Sequence, residues 1–405
     1  MSIRILQENV LDSNLCAGCG ACQLVCPEQL VVLHPDTLQP VLDFDPASCG
    51  DCHLCHDVCP GADPGTDAAE MQLFDRERQS SERWLGIHID LFGARSTRAD
   101  VFEASASGGT VTTLLLASRS DGFGVDHVLT MGRNPDAGWR AKGVVSGDEE
   151  TIIANAQSTY QLAPYLAELR GLYEHCRNDK IAVVGLACHM QAIRKLQQLQ
   201  GDIADWAREN IVLLIETACS SSTLPKGTAD IVEGCLNLPL DAVSDLRYRS
   251  GPYPGKLTVS TKDGGSHALE FWQILKELKG GKNHRCLSCG DWMSGLADIS
   301  VCDGDPNIFD ASINGTAFGK YGRVLVRTPI GQKLADYCRD EGLLEQWPID
   351  LEGFNLGLER KRNRRRSYEA GALPVPKGPS APDIFDPEQI LSDDALIDPK
   401  RYKRG

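Results

Sequence analysis

The chain has 405 residues, 42% hydrophobic and 24% charged, values that exclude a disordered chain or a fibre and leave ample apolar material for two or three compact units. Forty-one basic against 56 acidic residues give a net charge of −15, which excludes a nucleic-acid backbone as the main partner. No apolar run reaches the ~20 residues that cross a bilayer, and the opening MSIRILQENVLDSN lacks the apolar core of an export signal, so no membrane span and a cytoplasmic location are expected.

In chain order, residues 1–75 form a small unit. CAGCGACQLVCP at 16–27 and CGDCHLCHDVCP at 49–60 repeat one spacing, C-x2-C-x2-C-x3-C-P. The intervening LVVLHPDTLQPVLDFDPAS predicts a short strand pair turning at His34, Pro35 and Asp36. Residues 76–95 read as a linker, because the polar stretch from 61 to 85 has no strong apolar period beyond a short helix near Ala68 to Arg78. The first part of a larger core then spans 96–172. There SGGTVTTLLLASRSDG predicts a helix opened by two glycines, VDHVLTM and KGVVSG predict strands, and YQLAPYLAELRGLYEHC predicts a helix. Its second part, 173–350, carries the buried strand KIAVVGLAC, the helix HMQAIRKLQQLQ, the strand IVLLIETAC, and a hairpin in KLTVSTKDGGSHALEF around Asp263, Gly264 and Gly265. Residues 351–405 read as a polar tail rich in Pro and Arg, with the basic run ERKRNRRR at 359–366 as a solvated segment.

Sixteen cysteines in a reducing compartment point to metal ligation or redox chemistry rather than disulfides. A zinc ribbon closes one tetrahedron with two C-x2-C pairs, and a third cysteine at this spacing would be superfluous. The spacing matches bacterial two-cluster ferredoxins, where three cysteines of each run hold one 4Fe-4S cluster and the fourth crosses to the other. On that pattern Cys16, Cys19, Cys22 and Cys59 hold one cluster, and Cys49, Cys52, Cys55 and Cys26 hold the second. Gly18 and Gly20 let backbone amides approach the cluster, and Pro27 and Pro60 redirect the chain. His53 and His56 read as surface or supporting residues rather than ligands.

Eight cysteines remain. Cys188 and Cys219 each follow an apolar strand, where an open α/β sheet collects ligands, and Cys286 and Cys289 form a C-x2-C pair. Cys188 also precedes a predicted helix, whose positive end favours a thiolate. From the residues alone these four could be an iron-sulfur site, a zinc tetrad or free buried thiols. Cys176, Cys235, Cys302 and Cys338 read as buried thiols without a partner.

Five segments together carry a resemblance: SASGGTVTTLLL at 105–116, AQSTYQLAP at 156–164, VVGLACHMQAIRKL at 183–196, IETAC at 215–219 and RCLSCGDWMSGLADISVCDGD at 285–305. In this order they resemble the family of coenzyme F-420 (deazaflavin) hydrogenase and dehydrogenase beta subunits, which includes 7-hydroxymethyl chlorophyll a reductase-like iron-sulfur flavoproteins. The resemblance covers roughly residues 90–345. It implies FAD and a third 4Fe-4S cluster on Cys188, Cys219, Cys286 and Cys289, with Ser107, Gly108, Gly109 and Thr110 at the flavin and Tyr160, Asp298 and Asp303 shaping the same pocket, while the residues alone equally allow Tyr160 as core and the two aspartates as turn residues. Glycines before a helix N-terminus independently suit a phosphate or ring edge, although a plain turn uses them as well. Where the family often has Pro, Gln and Lys, this chain has Ala187, His189 and Thr159, which bears on the substrate more than on the cofactors. His189 reads first as a satisfied structural residue.

The expected fold class is therefore α+β, a ferredoxin module followed by a mixed α/β flavin- and cluster-binding domain. Three functions follow. The preferred one is a reductase that takes single electrons from ferredoxin or another redox protein and reduces a small organic substrate at FAD by hydride transfer. The second is the flavin-bearing subunit of a complex that oxidises or reduces a deazaflavin coenzyme, and the third is a non-redox metal-binding interaction protein. Relatives imply a homo-oligomer. No catalytic proton donor is legible.

Overall fold

The computed structural model describes residues 2–41, 44–304, 320–351 and 354–381. In the N-terminal module, β1 (Val32–Leu33) and β2 (Pro40–Val41) pair antiparallel, with Leu33 opposite Pro40, as the turn at His34 to Asp36 requires. Short helices Ala21–Val25 and Leu54–Asp57 carry the third cysteine of each run, Cys22 and Cys55.

The main domain is built on eight strands: β3 (Asp90–Ser96), β4 (His127–Asn134), β5 (Ala137–Ser146), β6 (Ile181–Gly185), β7 (Ile211–Thr217), then, after a separate hairpin sheet, β11 (Ile299–Asp303), β12 (Gly322–Val326) and β13 (Leu344–Pro348). Their spatial order is β13, β3, β12, β11, β7, β6, β4, β5. The central strands β11, β7, β6 and β4 run parallel, and antiparallel strands close both sides. Parallel strands covered on both faces read as continuous apolar runs, which is why IAVVG and IVLLI were legible. One face packs on Leu166, Leu169, Met190, Ile193 and Leu196, and the other on Leu114, Leu115, Leu334 and Ala335. The separate sheet comprises β8 (Val243–Ser250), β9 (Lys256–Thr261) and β10 (Ser266–Glu270), so the expected hairpin gains a third strand.

Three expectations need correction. β3 begins at Asp90, inside the stretch read as linker, and the preceding segment is packed rather than loose. Glu70, fully buried on the helix Thr66–Phe74, pairs with Arg78 at 2.5 Å, and Arg78 Nη2 donates to Ser294 O at 2.8 Å. Second, the helix expected from Tyr160 starts as a tight turn at Tyr165, because Pro164 cannot sit inside a helix and Gln161 pairs instead with Thr223. Third, the basic run is not solvated. It lies in the helix Asn355–Ala370, where Phe354 and Leu358 pack with Trp292 and Met293, and the next turn carries Lys361, Arg362, Asn363 and Arg364 into the interior. Buried carbonyls and thiols receive these charges: Arg364 Nη1 donates to Cys286 O at 3.3 Å. Residues 382–405 of the stretch read as a tail lie outside the described residues.

The module shares the core of the main domain. Leu24 and Val25 pack in the same cluster as Leu166, Leu169 and Ile193, and Leu166 N donates to Cys19 O at 2.8 Å. Gly20 lies at φ 83°, and a Cβ there would sit 2.8 Å from Pro164 O, so only glycine allows this approach.

Candidate cofactor and electron-transfer site

The carboxyl ends of parallel strands meet at a cavity of about 320 Å³. Gly185 ends β6 and Leu186 follows it, Ala218 and Cys219 follow β7, and Val301 to Asp303 end β11, all in its wall. A larger hollow of about 700 Å³ over β4 and β5 shares Met131, Asn155 and Gln157 with it but has no cysteine in its wall. The smaller cavity is therefore the one joined to the thiol chemistry.

The turn before the helix Thr110–Ser118 supplies another side. Ser107, Gly109 and Thr110 line the cavity, and Thr110 Oγ1 donates to Ala94 O at 2.9 Å, tying the turn to β3. Gly108 is not in the wall; at φ 83° its added Cβ would lie 2.7 Å from Lys320 O, so close backbone packing explains the glycine. The Ser107 hydroxyl donates to the Asp303 carboxylate, which also accepts from Arg249 Nη1 at 2.9 and 3.0 Å. Tyr160 lines the cavity with its ring against Tyr248 and Phe271, at centroid distances of 5.2 and 5.6 Å. Asp298 does not reach the cavity. Its carboxylate accepts from Leu214 N and Thr328 Oγ1, each at 2.7 Å, and so joins β7 to the segments flanking β11 and β12.

Three cavity-lining residues keep buried polar atoms that have no partner among the described residues, Gln157 Oε1, His189 Nε2 and Arg249 Nη2. Gln157 Nε2 is used on Ala104 O at 2.6 Å, which leaves its oxygen as a free acceptor. His189 Nδ1 accepts from Leu186 N at 3.2 Å, and burial lowers the ring's pKa from 6.5 to about 4. The neutral ring must then carry its proton on Nε2, a free donor. Arg249, 1% exposed, adds a buried cation to the same wall. Donor, acceptor and cation around one apolar cavity fit the edge of a flavin ring, whose carbonyls accept, whose ring N–H donates, and which gains negative charge on reduction.

The cysteines fall into three groups by mutual influence. Burial pushes Cys16 and Cys19 up to about 11 and about 12, and the Cys59 charge is the next cause in both. Cys22, raised well above its usual range by burial, also feels Cys19, Cys16 and Cys59. Cys55 is pushed to about 12 by burial, then by Cys52, Cys49 and Cys26. Cys59 thus acts on the thiols of the first run and Cys26 on those of the second, and Cys22 also feels Cys55 across the two runs. In the core, burial raises Cys188, with Cys19, Cys219 and Cys286 adding and Arg285 opposing. Burial also pushes Cys219 up to about 11, opposed by Lys361 and reinforced by Cys286 and Cys289. Buried thiolates that repel one another need a positive centre to lose their protons, which iron provides.

All sixteen thiols are free of disulfides. A single zinc ion would draw its sulfurs to within ~4 Å of one another. Among the described residues, only His127, Cys176 and Asp179 bring three ligand atoms within 4.8 Å, and none of the twelve cysteines in these groups does so. Of the four cysteines left over, Cys302 and Cys338 are buried as expected, but Cys176 is half-buried beside His127 and Asp179, and Cys235 is exposed.

Family models match on both parts of the core: "Coenzyme F420 hydrogenase/dehydrogenase, beta subunit N-term" over residues 91–170 and its C-terminal counterpart over 178–352. The chain belongs to the family of coenzyme F420 hydrogenase/dehydrogenase beta subunits. A 4Fe-4S dicluster domain matches residues 15–62, so this family core carries an iron-sulfur module at its N-terminus. A component of the F(420)H(2) dehydrogenase of Methanosarcina mazei is 26% identical over 89% of this chain and 93% of its own length. Coenzyme F420-dependent sulfite reductase of Methanocaldococcus jannaschii is 28% identical over 87% of the chain, which covers 52% of that longer protein. A chain of the F420-reducing [NiFe] hydrogenase complex from Methanosarcina barkeri shares the fold, with a TM-score of 0.57 and 24% identity over 73% of this chain and 97% of that one. Membership makes this an oxidoreductase-type protein. No described helix is long and apolar enough to cross a membrane.

Gln157, Arg249, Arg285 and Lys361 escaped the reading of the sequence as site residues. Gln157 and Arg285 stand inside quoted family segments, so position could have flagged them. Arg249 lies in β8 with no local signal.

Proposed function

We propose that this protein is an iron-sulfur flavoprotein that moves electrons between a deazaflavin-type coenzyme at the cavity and a redox partner at the N-terminal module. Cys219 carries the reading. It belongs to the core thiol group and also lines the cavity wall, so one residue joins the electron-carrying and substrate-binding halves. Cys16, Cys19, Cys22 and Cys59, then Cys49, Cys52, Cys55 and Cys26, then Cys188, Cys219, Cys286 and Cys289 would each hold a 4Fe-4S cluster. Bound at these places, a flavin supplies hydride exchange with an organic partner and the clusters supply single-electron steps.

The residues of the chain bind and orient. His189 Nε2–H and Gln157 Oε1 offer a donor and an acceptor to a ring edge, and the Arg249 cation, fixed on Asp303, offsets negative charge gained there. Ser107 is held by Asp303 at the mouth of the helix Thr110–Ser118.

The relative from Methanosarcina mazei, a component of an F(420)H(2) dehydrogenase that matches 89% of this chain, supports the deazaflavin reading. A second reading, a reductase fed by a ferredoxin-type carrier, is supported by 7-hydroxymethyl chlorophyll a reductase of Oryza sativa, 22% identical over 80% of the chain.

Protein prepared without oxygen should contain about twelve irons and one FAD and bleach with dithionite, and Cys219→Ala should remove about four irons while leaving the module's signals intact. A colourless, zinc-containing preparation would overturn the redox assignment. Turnover with reduced deazaflavin favours the first reading; turnover only with another organic acceptor favours the second.

A further inference from the structure

The core thiols touch the module through one of its two cysteine groups. Cys188 packs against the buried cluster that contains Cys19, and Lys195 Nζ, on the same helix as Cys188, donates to Cys59 O at 3.1 Å. Cys49 and Cys55 pack instead in the module's own cluster with Ile3, Leu6 and Val10. The covalent frame agrees with this order. Arg285 precedes Cys286 in the helix His284–Ser288 and reaches back to the module, where its Nη1 donates to Leu15 O at 3.1 Å. Two residues earlier, Asn283 Nδ2 donates to Cys16 O at 3.0 Å. The guanidinium is 2% exposed, and its Nη2 is buried with no hydrogen-bond partner among the described residues.

A buried guanidinium with an unused N–H is costly unless negative charge faces it. No carboxylate is hydrogen-bonded to it among the described residues; the charges that act on it come first from Cys289 and Cys188 in the core, then from Asp291 and from Cys59 in the module. Removing a cation from beside a cluster disfavours the more negative, reduced state, and charge and hydrogen bonding to the sulfurs are main determinants of cluster potential.

We propose that Arg285 is the electrostatic junction of the relay: it sits between the Cys16, Cys19, Cys22 and Cys59 group and the core group, and its charge raises the reduction potentials of both while leaving the Cys49, Cys52 and Cys55 group nearly untouched. The order of transfer is then the Cys49 group outermost, the Cys16 group next, and the core last before the cavity. Arg285 is a positioning residue for charge, not a ligand. This rests on the three-cluster reading above.

The test is a potentiometric titration followed by electron paramagnetic resonance on the full chain, with iron counted in every sample. Arg285→Gln keeps a hydrogen-bonding group and loses the charge. It should retain its iron and make reduction of the core and Cys16-group clusters harder by about tenfold, a fall of about 59 mV for one electron. The Cys49-group potential should stay in place. Arg285→Lys, which keeps the charge and loses the fork that binds Leu15 O, should return both potentials most of the way. Unchanged potentials in a fully loaded Arg285→Gln protein, or equal shifts in all three clusters, would overturn the proposal. So would a Gln variant that loses iron while the Lys variant keeps it, since the charge would then serve cluster assembly rather than potential. If the unaltered protein has no third cluster signal, the three-cluster reading itself fails, a result separate from any behaviour of the variants.

Discussion

His189 has one ring nitrogen committed and the other idle. Its Nδ1 accepts the Leu186 amide at the start of the helix Ala187–Gln198, its ring stacks on Tyr165 at 4.9 Å, and Nε2–H is left to the cavity. Supplying a partner for that buried N–H is worth about 1 to 1.5 kcal/mol, so His189→Leu should bind FAD about tenfold more weakly, while His189→Gln, which keeps a donor, should stay close to wild type. Titrating flavin into apoprotein and following its fluorescence reads both constants; an unchanged constant for His189→Leu would remove this donor from flavin recognition. The residue type alone pointed the other way, toward a satisfied structural histidine. What the sequence cannot carry is which nitrogen the Leu186 amide occupies, and the role depends on that. The eight cysteines of the module were legible for the opposite reason: three spacings repeated twice leave few alternative geometries, and a 4Fe-4S dicluster domain matches that stretch. Asp298 shows the cost of reading by neighbourhood. It stands five residues before Asp303, yet it sits just ahead of β11, turned to Leu214 and Thr328, whereas Asp303 at the end of that strand faces the cavity.

At the scale of elements, β7 carries the core site because a buried carboxylate ties it to the loop after the C-x2-C pair. Glu216, fully buried, accepts from Ser294 N and Ser294 Oγ at 2.7 Å, Gly295 N at 3.1 Å and Ser300 Oγ at 2.6 Å, with Arg327 at 3.7 Å. That carboxylate lies three residues before Cys219 and fixes the chain five residues beyond Cys289, so it sets the spacing between the two halves of the core thiol group. Glu216→Ala leaves Arg327 and four hydrogen-bond donors without this carboxylate and should cost about 3 to 5 kcal/mol of stability. Thermal unfolding followed by iron release should show the core cluster lost first, with the module's signals persisting; simultaneous loss of all iron would mean that the carboxylate supports the whole fold rather than this loop. Strands buried on both faces, β6 and β7, announce themselves as apolar runs. β8 and β13 do not: VSDLRYRS and LEQWP mix charge with apolar residues because one side of each strand faces solvent or another element. The basic helix Asn355–Ala370 misleads for a different reason, since charge in sequence reads as exposure unless the opposing thiols and carbonyls are known to be there.

Across the whole molecule, charge is unevenly shared. Residues 1–63 hold nine acidic residues against one basic residue, Arg4, so the module carries more than half of the net charge of −15. The Cys49 group lies in this acidic part, with Cys49 and Cys52 half-buried and Asp45, Asp51 and Asp57 exposed around them. By contrast the cations that face thiols, Arg285 and Lys361, are buried deeper, toward the core. Sequence reading found the module but not its attachment, because Leu24 and Val25 look like a private core until Leu166 and Ile193 are seen against them. An external electron carrier arriving at the Cys49 group therefore crosses a negative field, and that field has a range of only ~10 Å at 0.1 M salt. At low ionic strength a cationic viologen radical should reduce the clusters about tenfold faster, relative to the anionic radical of dithionite, than it does in about 0.5 M salt, where the field is screened. Stopped-flow bleaching of the cluster absorbance measures both rates. A ratio that does not move with salt would mean that electrons enter somewhere other than the acidic module, and the outermost place given to the Cys49 group would have to be surrendered with it.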